Sequence, residues 1–99
     1  MIKSQITLKQ LEAFAFVVDT GTFRAAALAL GTTQPNISAR ISALEAALDE
    51  VLLIRDAGSV RLTVKGEKLL RKTREVLWAG EALIEAAGRQ ELIEETLRL

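Results

Sequence analysis

The stretch TTQPNISARISALE, residues 32–45, decides how the chain is organised. Ile37, Ile41, Leu44 and Leu48 recur at spacings of four, three and four residues, which predicts a helix with one buried stripe. At about 100° per residue, the opposite side carries small and almost uncharged residues, namely Pro35, Ala39, Ser42, Ala43 and Ala46. Such a face lets a helix backbone approach a partner closely. The candidate partners are another helix and a DNA major groove, and the polar start of the helix favours the groove.

Two further helices are predicted before this stretch. Thr7 is the expected N-cap of the first, with Gln10 completing a capping box, and the helix should run to about Asp19. Its expected inward residues are Leu8, Leu11, Phe14, Ala15 and Val18. Thr22 should cap a short second helix, which Gly31 ends. Two short helices joined by a three-residue turn with a glycine indicate a helix-turn-helix at about residues 23–42.

A small hairpin is predicted after the third helix, at about residues 51–63. The apolar run 51–54 is followed by turn-forming residues at 56–59, and residues 60–62 alternate between apolar and charged side chains. This pattern is typical of two short antiparallel strands. We therefore expect a wing beside the helix-turn-helix.

A long helix should begin at Val64, after the cap residue Thr63, and continue to at least Ala87. Its apolar residues repeat every seven positions, which indicates a seam that keeps facing one partner. The expected dimerisation residues are Leu69, Leu70, Val76, Leu77, Gly80, Leu83, Ile84 and Ala87. The alternative is packing on the first helix of the same chain, and we expect the front half on the body and the back half on a second copy. Residues 89–99 suit either a helix or the start of a strand.

Composition excludes several classes of protein. The chain has no His and no Cys, and its carboxylates are not clustered, so we expect no enzyme activity, no metal site and no cofactor. No signal peptide and no uncharged run of membrane-spanning length are present. The net charge is zero, but residues 1–78 hold 11 Lys and Arg against 8 Asp and Glu, a surplus of +3 that an acidic end offsets.

The order of elements resembles the N-terminal DNA-binding domain of LysR-type transcriptional regulators. The matching positions are Leu11-Glu12-Ala13-Phe14, Thr20-Gly21-Thr22-Phe23, Ala25-Ala26, Gln34-Pro35, Ser38, Leu44-Glu45, Leu52, Arg55, Leu62-Thr63 and Gly66. The resemblance implies a mainly α, winged helix-turn-helix fold over residues 1–63 and a linker helix over 64–88. It further implies that residues 89–99 begin the connection to an absent effector-binding domain, which would bind a small molecule.

The same resemblance implies a cytoplasmic, sequence-specific transcription regulator of bacterial type. It would act as a homodimer, or as a tetramer at full length, on double-stranded DNA with an interrupted palindrome. The linker helices would pair antiparallel, with the recognition helix, residues 33–47, in the major groove and the wing at the minor groove. No membrane partner is implied.

The expected DNA-binding residues lie on the recognition helix and the wing. They are Thr33, Gln34, Pro35, Asn36, Ser38, Ala39, Arg40, Ser42, Arg55 and Arg61. Gln34 can donate to and accept from a base edge, typically that of adenine. The hydroxyl of Ser38 has the helix backbone as an alternative partner, and Arg40 can reach DNA or pair with Glu45. Many LysR-type proteins carry Arg where this chain has Ala39, with Arg40 next to it.

A second function class stays open at this point. The small-residue face could serve a helical adaptor module that binds another protein helix and no DNA. Retention on duplex DNA at moderate salt separates the two hypotheses, because an adaptor would show none.

Overall fold

The computed structural model describes residues 6–56 and 58–88. Its elements in chain order are α1 (Leu8–Thr20), α2 (Phe23–Ala29), α3 (Gln34–Leu48), β1 (Leu53–Asp56), β2 (Ser59–Leu62) and α4 (Val64–Ala86). The strands form an antiparallel hairpin in which Leu53 pairs with Leu62 and Asp56 with Ser59. The predicted winged helix-turn-helix and long last helix are confirmed. The prediction for residues 89–99 lies outside the described residues.

Helix α1 is the centre of the helical body, because α2, α3 and α4 all pack against it. The buried core consists of Leu11, Ala13, Phe14, Ala15, Val17, Phe23, Ala26, Ala27, Ile37, Ile41, Leu44, Leu52, Leu53 and Leu70. The prediction that Leu8 faces the core is wrong. Leu8 is 54% exposed, since it is the first residue of α1 and lies at the edge of the body. Neighbours on several sides of α1 instead bury Ala13 and Val17, which the single predicted stripe left out.

Side-chain caps start the helices at the predicted residues. The hydroxyl of Thr7 accepts from the Gln10 amide at 3.2 Å, and the Gln10 side chain accepts from the Thr7 amide at 3.1 Å, which completes the capping box. In the turn between α2 and α3, Gly31 has φ +65°. The amide of Thr32 there donates to the Ala27 carbonyl at 2.9 Å. This Schellman-type ending sets the direction in which α3 leaves α2.

The end of α3 is built in the same way with a residue other than glycine. Asp49 has φ 56° and ψ 45°, and its amide donates to the Ala46 carbonyl at 3.2 Å. The carboxylate of Glu45 accepts from the amides of Leu52 and Leu53, at 2.8 and 3.3 Å. Because these amides open the wing, Glu45 fixes the wing against α3.

Thr63 joins the wing to α4. Its hydroxyl donates to the Val51 carbonyl at 2.7 Å and accepts from the Gly66 amide at 2.8 Å. Gly66 is buried, and a Cβ there would overlap the Leu52 carbonyl oxygen. The first turn of α4 therefore lies directly on the backbone that precedes β1.

Candidate nucleic-acid interface

Helix α3 separates cleanly into a buried and an exposed side. Ile37, Ile41 and Leu44 are at most 4% exposed and hold the helix on the body. The side that faces away from the core is exposed and consists of Gln34, Pro35, Asn36, Ala39, Ser42, Ala43 and Ala46. The predicted small-residue face is therefore open to a partner along its whole length.

The first turn of α3 presents polar groups in a fixed arrangement. The Thr33 hydroxyl accepts from the Asn36 amide at 3.2 Å, so it acts as the helix cap. The Asn36 side-chain amide donates to the Thr32 hydroxyl at 2.9 Å, which orients the side chain. Gln34 is exposed beside them and, within the described residues, its side chain makes no hydrogen bond. Its amide is therefore available to a base edge.

Arg40 does not pair with Glu45, and that alternative is wrong. The Glu45 carboxylate is engaged by the wing amides of Leu52 and Leu53, on the side of α3 that faces β1. Among the described residues, no carboxylate lies within ion-pair distance of Arg40. The half-buried Arg40 therefore keeps its guanidinium available for an external anion.

Ser38 and Ser42 line a cleft between α3 and the wing. The cleft measures about 110 Å³ and is completed by Phe23, Ile41, Glu45, Leu53 and Arg55. In the part of the chain that the structure describes, the Ser38 hydroxyl makes no hydrogen bond to the helix backbone, so that alternative is not supported. Ser38 and Ser42 instead line the same cleft as Arg55.

The two wing arginines have different surroundings. The guanidinium carbon of Arg55 lies 3.9 Å from the centroid of the Phe23 ring, at the side of α3. Arg61 forms an exposed ion pair with Asp56 at 3.2 Å. Ser59 closes the turn through a hydrogen bond from its hydroxyl to the Asp56 carbonyl at 3.1 Å. Arg55 therefore lies beside α3, whereas Arg61 lies on the surface of the hairpin.

The apolar rows of α4 divide along its length. Leu70 is buried, and Leu69 and Leu77 pack partly against the core. By contrast, Val76, Leu83 and Ile84 are 44%, 70% and 47% exposed. Gly80 and Ala87 lie in the same exposed half, where a Cβ at Gly80 would meet nothing within 4 Å. The front half therefore packs on the body as predicted, and the back half is uncovered in a single chain.

One partly exposed ion pair joins α4 to α1. Arg74 donates to both carboxylate oxygens of Asp19 at the end of α1, at 2.9 and 3.3 Å. The hydrogen bonds to Asp19 raise the pKa of Arg74 above its ordinary value, with desolvation opposing them and Coulombic attraction adding to them. Arg74 thus stays charged and ties α4 to α1.

Sequence reasoning missed three residues, two at this surface and one on α4. Neither the contact of Phe23 with Arg55 nor that of Glu45 with the wing amides was predicted. Trp78 is 64% exposed on α4 and was not considered. The exposed tryptophan lies outside the predicted seam, on the side of α4 away from Gly80. The roles of Phe23 and Glu45 depend on contacts between distant segments, which the sequence does not show. The position of Trp78 on a polar helix face could have been recognised from the sequence.

Residues 8–67 match the model of the bacterial regulatory helix-turn-helix proteins of the lysR family. The chain belongs to the LysR family. It corresponds to the DNA-binding domain of a LysR-type transcriptional regulator. The family consists of regulators rather than enzymes, as the sequence analysis predicted.

Curated relatives agree over most of the chain. It is 40% identical to the uncharacterized HTH-type transcriptional regulator YvbU of Bacillus subtilis, over 90% of this chain and 31% of that protein. It is 42% identical to the probable hydrogen peroxide-inducible genes activator of Streptomyces viridosporus, over 86% of this chain and 27% of that protein. The chain therefore spans less than a third of the relatives it matches.

Solved structures show the same fold. The CbnR DNA-binding domain in complex with DNA superposes with a TM-score of 0.75 at 34% identity, over 85% of this chain and 98% of that one. The BenM DNA-binding domain bound to benA site 1 DNA gives 0.77 at 29% identity, over 84% and 93%. Within residues 6–56 and 58–88, no helix is both long and apolar enough to cross a bilayer.

Proposed function

We propose that the chain reads a specific DNA sequence with the exposed side of α3 in the major groove. The observation that carries this proposal is a helix whose outward side is free of bulky and acidic groups and whose first two turns offer Gln34, Asn36 and Arg40. Small residues permit close approach to the groove floor, and these three side chains match base edges and phosphates. The two DNA complexes of similar domains support this proposal, and nothing favours the adaptor alternative.

The test of this proposal is the substitution Gln34→Ala on a duplex selected by the wild-type chain. Loss of a base contact should lower specific affinity by about 1–3 kcal/mol and relax the choice of sequence. Arg71→Ala is a suitable control, since Arg71 is exposed on α4 away from α3. It should change affinity equally on specific and scrambled duplexes. Normal specific binding by Gln34→Ala would contradict the assignment of α3.

We also propose that two chains associate through the exposed half of α4. Val76 and Ile84 lie four residues to either side of Gly80, and Leu77 and Leu83 lie three residues to either side. This symmetry suits an antiparallel homodimer with its two-fold axis at Gly80, where each residue meets its counterpart. A glycine inside a helix is about 1 kcal/mol less favourable than alanine. Close approach of a partner helix explains its presence, because one chain alone leaves the position open.

Cysteine cross-linking tests this arrangement against a clean background, since the chain contains no Cys. A mixture of Val76→Cys and Ile84→Cys chains should form a disulfide on oxidation, whereas either variant alone should not. Self-cross-linking of Val76→Cys would contradict an axis at Gly80. Leu83→Ser should weaken the dimer, and the equally exposed Leu28 on α2 offers Leu28→Ser as the matched control.

The contact of α3 with DNA and the contact between two α4 helices together suggest how the whole regulator would work. Two recognition helices held by α4 would read an interrupted palindrome of double-stranded DNA in the cytoplasm, with the wing next to the minor groove. A small-molecule effector would act through a domain outside this chain, and tetramer formation would also involve that domain.

A further inference from the structure

The contact between Arg55 and Phe23 joins two elements that are distant in sequence. Phe23 opens α2 and is 6% exposed, so the surrounding core holds its ring in place. Arg55 comes from β1, and its guanidinium carbon lies 3.9 Å from the ring centroid. A guanidinium over an aromatic face is held by the quadrupole of the ring. The contact therefore fixes the otherwise flexible Arg55 side chain beside α3.

The stacked guanidinium retains its hydrogen-bonding capacity. Within the described residues, Arg61 and Arg74 each pair with a carboxylate, whereas Arg55 has no such partner. Stacking uses the face of the guanidinium, and the N–H groups at its edge remain free to donate. Among the described residues, one carboxylate lines the cleft, that of Glu45, and it already accepts hydrogen bonds from two backbone amides.

The neighbours of Arg55 suit a phosphate. The hydroxyls of Ser38 and Ser42 line the same cleft of about 110 Å³. A guanidinium edge with two hydroxyls provides several donors to tetrahedral phosphate oxygens, and the planar fork matches them well. Because Ser42 lies on the exposed side of α3, the cleft opens next to the surface proposed for the major groove.

We infer that Phe23 is a positioning residue that holds Arg55 over this cleft, where Arg55, Ser38 and Ser42 bind one phosphate of the DNA backbone. The inference rests on the proposed DNA binding and assigns Arg55 to the edge of the major groove, in place of the minor groove. Fixing the side chain before binding reduces the entropy lost when the phosphate is bound. The contact sets the register of α3 on DNA without reading a base.

A set of substitutions tests this role. Arg55→Ala should lower affinity equally for selected and scrambled duplexes and reduce the salt dependence by about 0.9 in log–log slope per chain, the value for one phosphate. Phe23→Leu should weaken binding roughly three- to tenfold, the range of a lost cation–π contact. In the Arg55→Ala background, Phe23→Leu should have no further effect on DNA binding.

Phe14→Leu is the matched control, because Phe14 is fully buried and, among the described residues, no arginine stacks on its ring. It should lower the melting temperature as Phe23→Leu does and leave DNA affinity unchanged at temperatures where both variants are folded. If Phe23→Leu weakens DNA binding equally in the wild-type and the Arg55→Ala background, the inference is overturned. A loss confined to A·T-rich flanking sequence would overturn it in favour of a minor-groove contact. Failure of the wild-type chain to bind any duplex would refute the proposed function itself.

Discussion

Gly66→Ala should destabilise the junction between the wing and α4. A Cβ at this position would overlap the carbonyl oxygen of Leu52 and lie 3.1 Å from its carbonyl carbon and from Cδ2 of Leu62. The backbone would have to move, because a carbonyl group fixed by the Thr63 amide at 3.0 Å cannot rotate away as a side chain can. The movement would also disturb the cap that Thr63 provides to Gly66 at 2.8 Å.

The opposing contributions to the free energy of unfolding can be compared. Replacing a helical glycine with alanine favours the helix by about 1 kcal/mol. Overpacking opposes this by about 1–3 kcal/mol, and loss of the cap by about 1 kcal/mol. We therefore expect Gly66→Ala to lower the free energy of unfolding by about 1–3 kcal/mol. For a domain of this size, each kcal/mol lowers the melting temperature by roughly 4–8 °C.

Thermal and urea unfolding followed by circular dichroism would measure this effect. Gly80→Ala is the control, because a Cβ there would meet nothing within 4 Å. At concentrations where the chain is monomeric, it should stabilise by about 1 kcal/mol through helix propensity alone. A Gly66→Ala chain as stable as the wild type would refute the close approach of α4 to Leu52.

Two further substitutions and one double-mutant cycle test contacts that hold the fold together. Asp49→Gly should stabilise the chain by about 0.5–1 kcal/mol in urea unfolding, because glycine adopts the left-handed conformation of Asp49 without strain; a loss of stability would contradict this. Glu45→Ala should lower the free energy of unfolding by about 1.5–3 kcal/mol, since two partly buried amides of the wing lose a charged acceptor. Unchanged stability would contradict a stabilising role of Glu45. A double-mutant cycle of Asp19→Ala and Arg74→Ala should give a coupling of about 0.2–1 kcal/mol that falls with added salt, as expected for an exposed ion pair; zero coupling at low salt would contradict it.

Local signals in the sequence were sufficient to predict the helices and strands of this fold. Thr7, Thr22, Thr33 and Thr63 each cap a helix, and a cap is a contact within one turn, so its pattern is readable without tertiary structure. The buried stripe of α3 was equally readable, because it follows from helical periodicity.

Contacts between distant segments were not readable in the same way. The hydrogen bonds from the wing to Glu45 and the stack of Arg55 on Phe23 depend on how the hairpin lies against the helices. Likewise, the exposure of Leu8 and the burial of Ala13 follow from the number of helices that surround α1, which periodicity within α1 does not contain. The base-contacting residues of α3 stay a prediction, since they are defined by a DNA partner.

The most direct test of sequence-specific binding by α3 is the selection of duplexes from a random pool by the wild-type chain. We predict enrichment of an interrupted palindrome with two half-sites at constant spacing, because one pair of α4 helices would hold two copies of α3 in the proposed dimer. The same selection with Gln34→Ala should recover a less restricted set of half-sites. Recovery of a pool that matches the input, or no retention of DNA at low salt, would contradict sequence-specific binding by this surface.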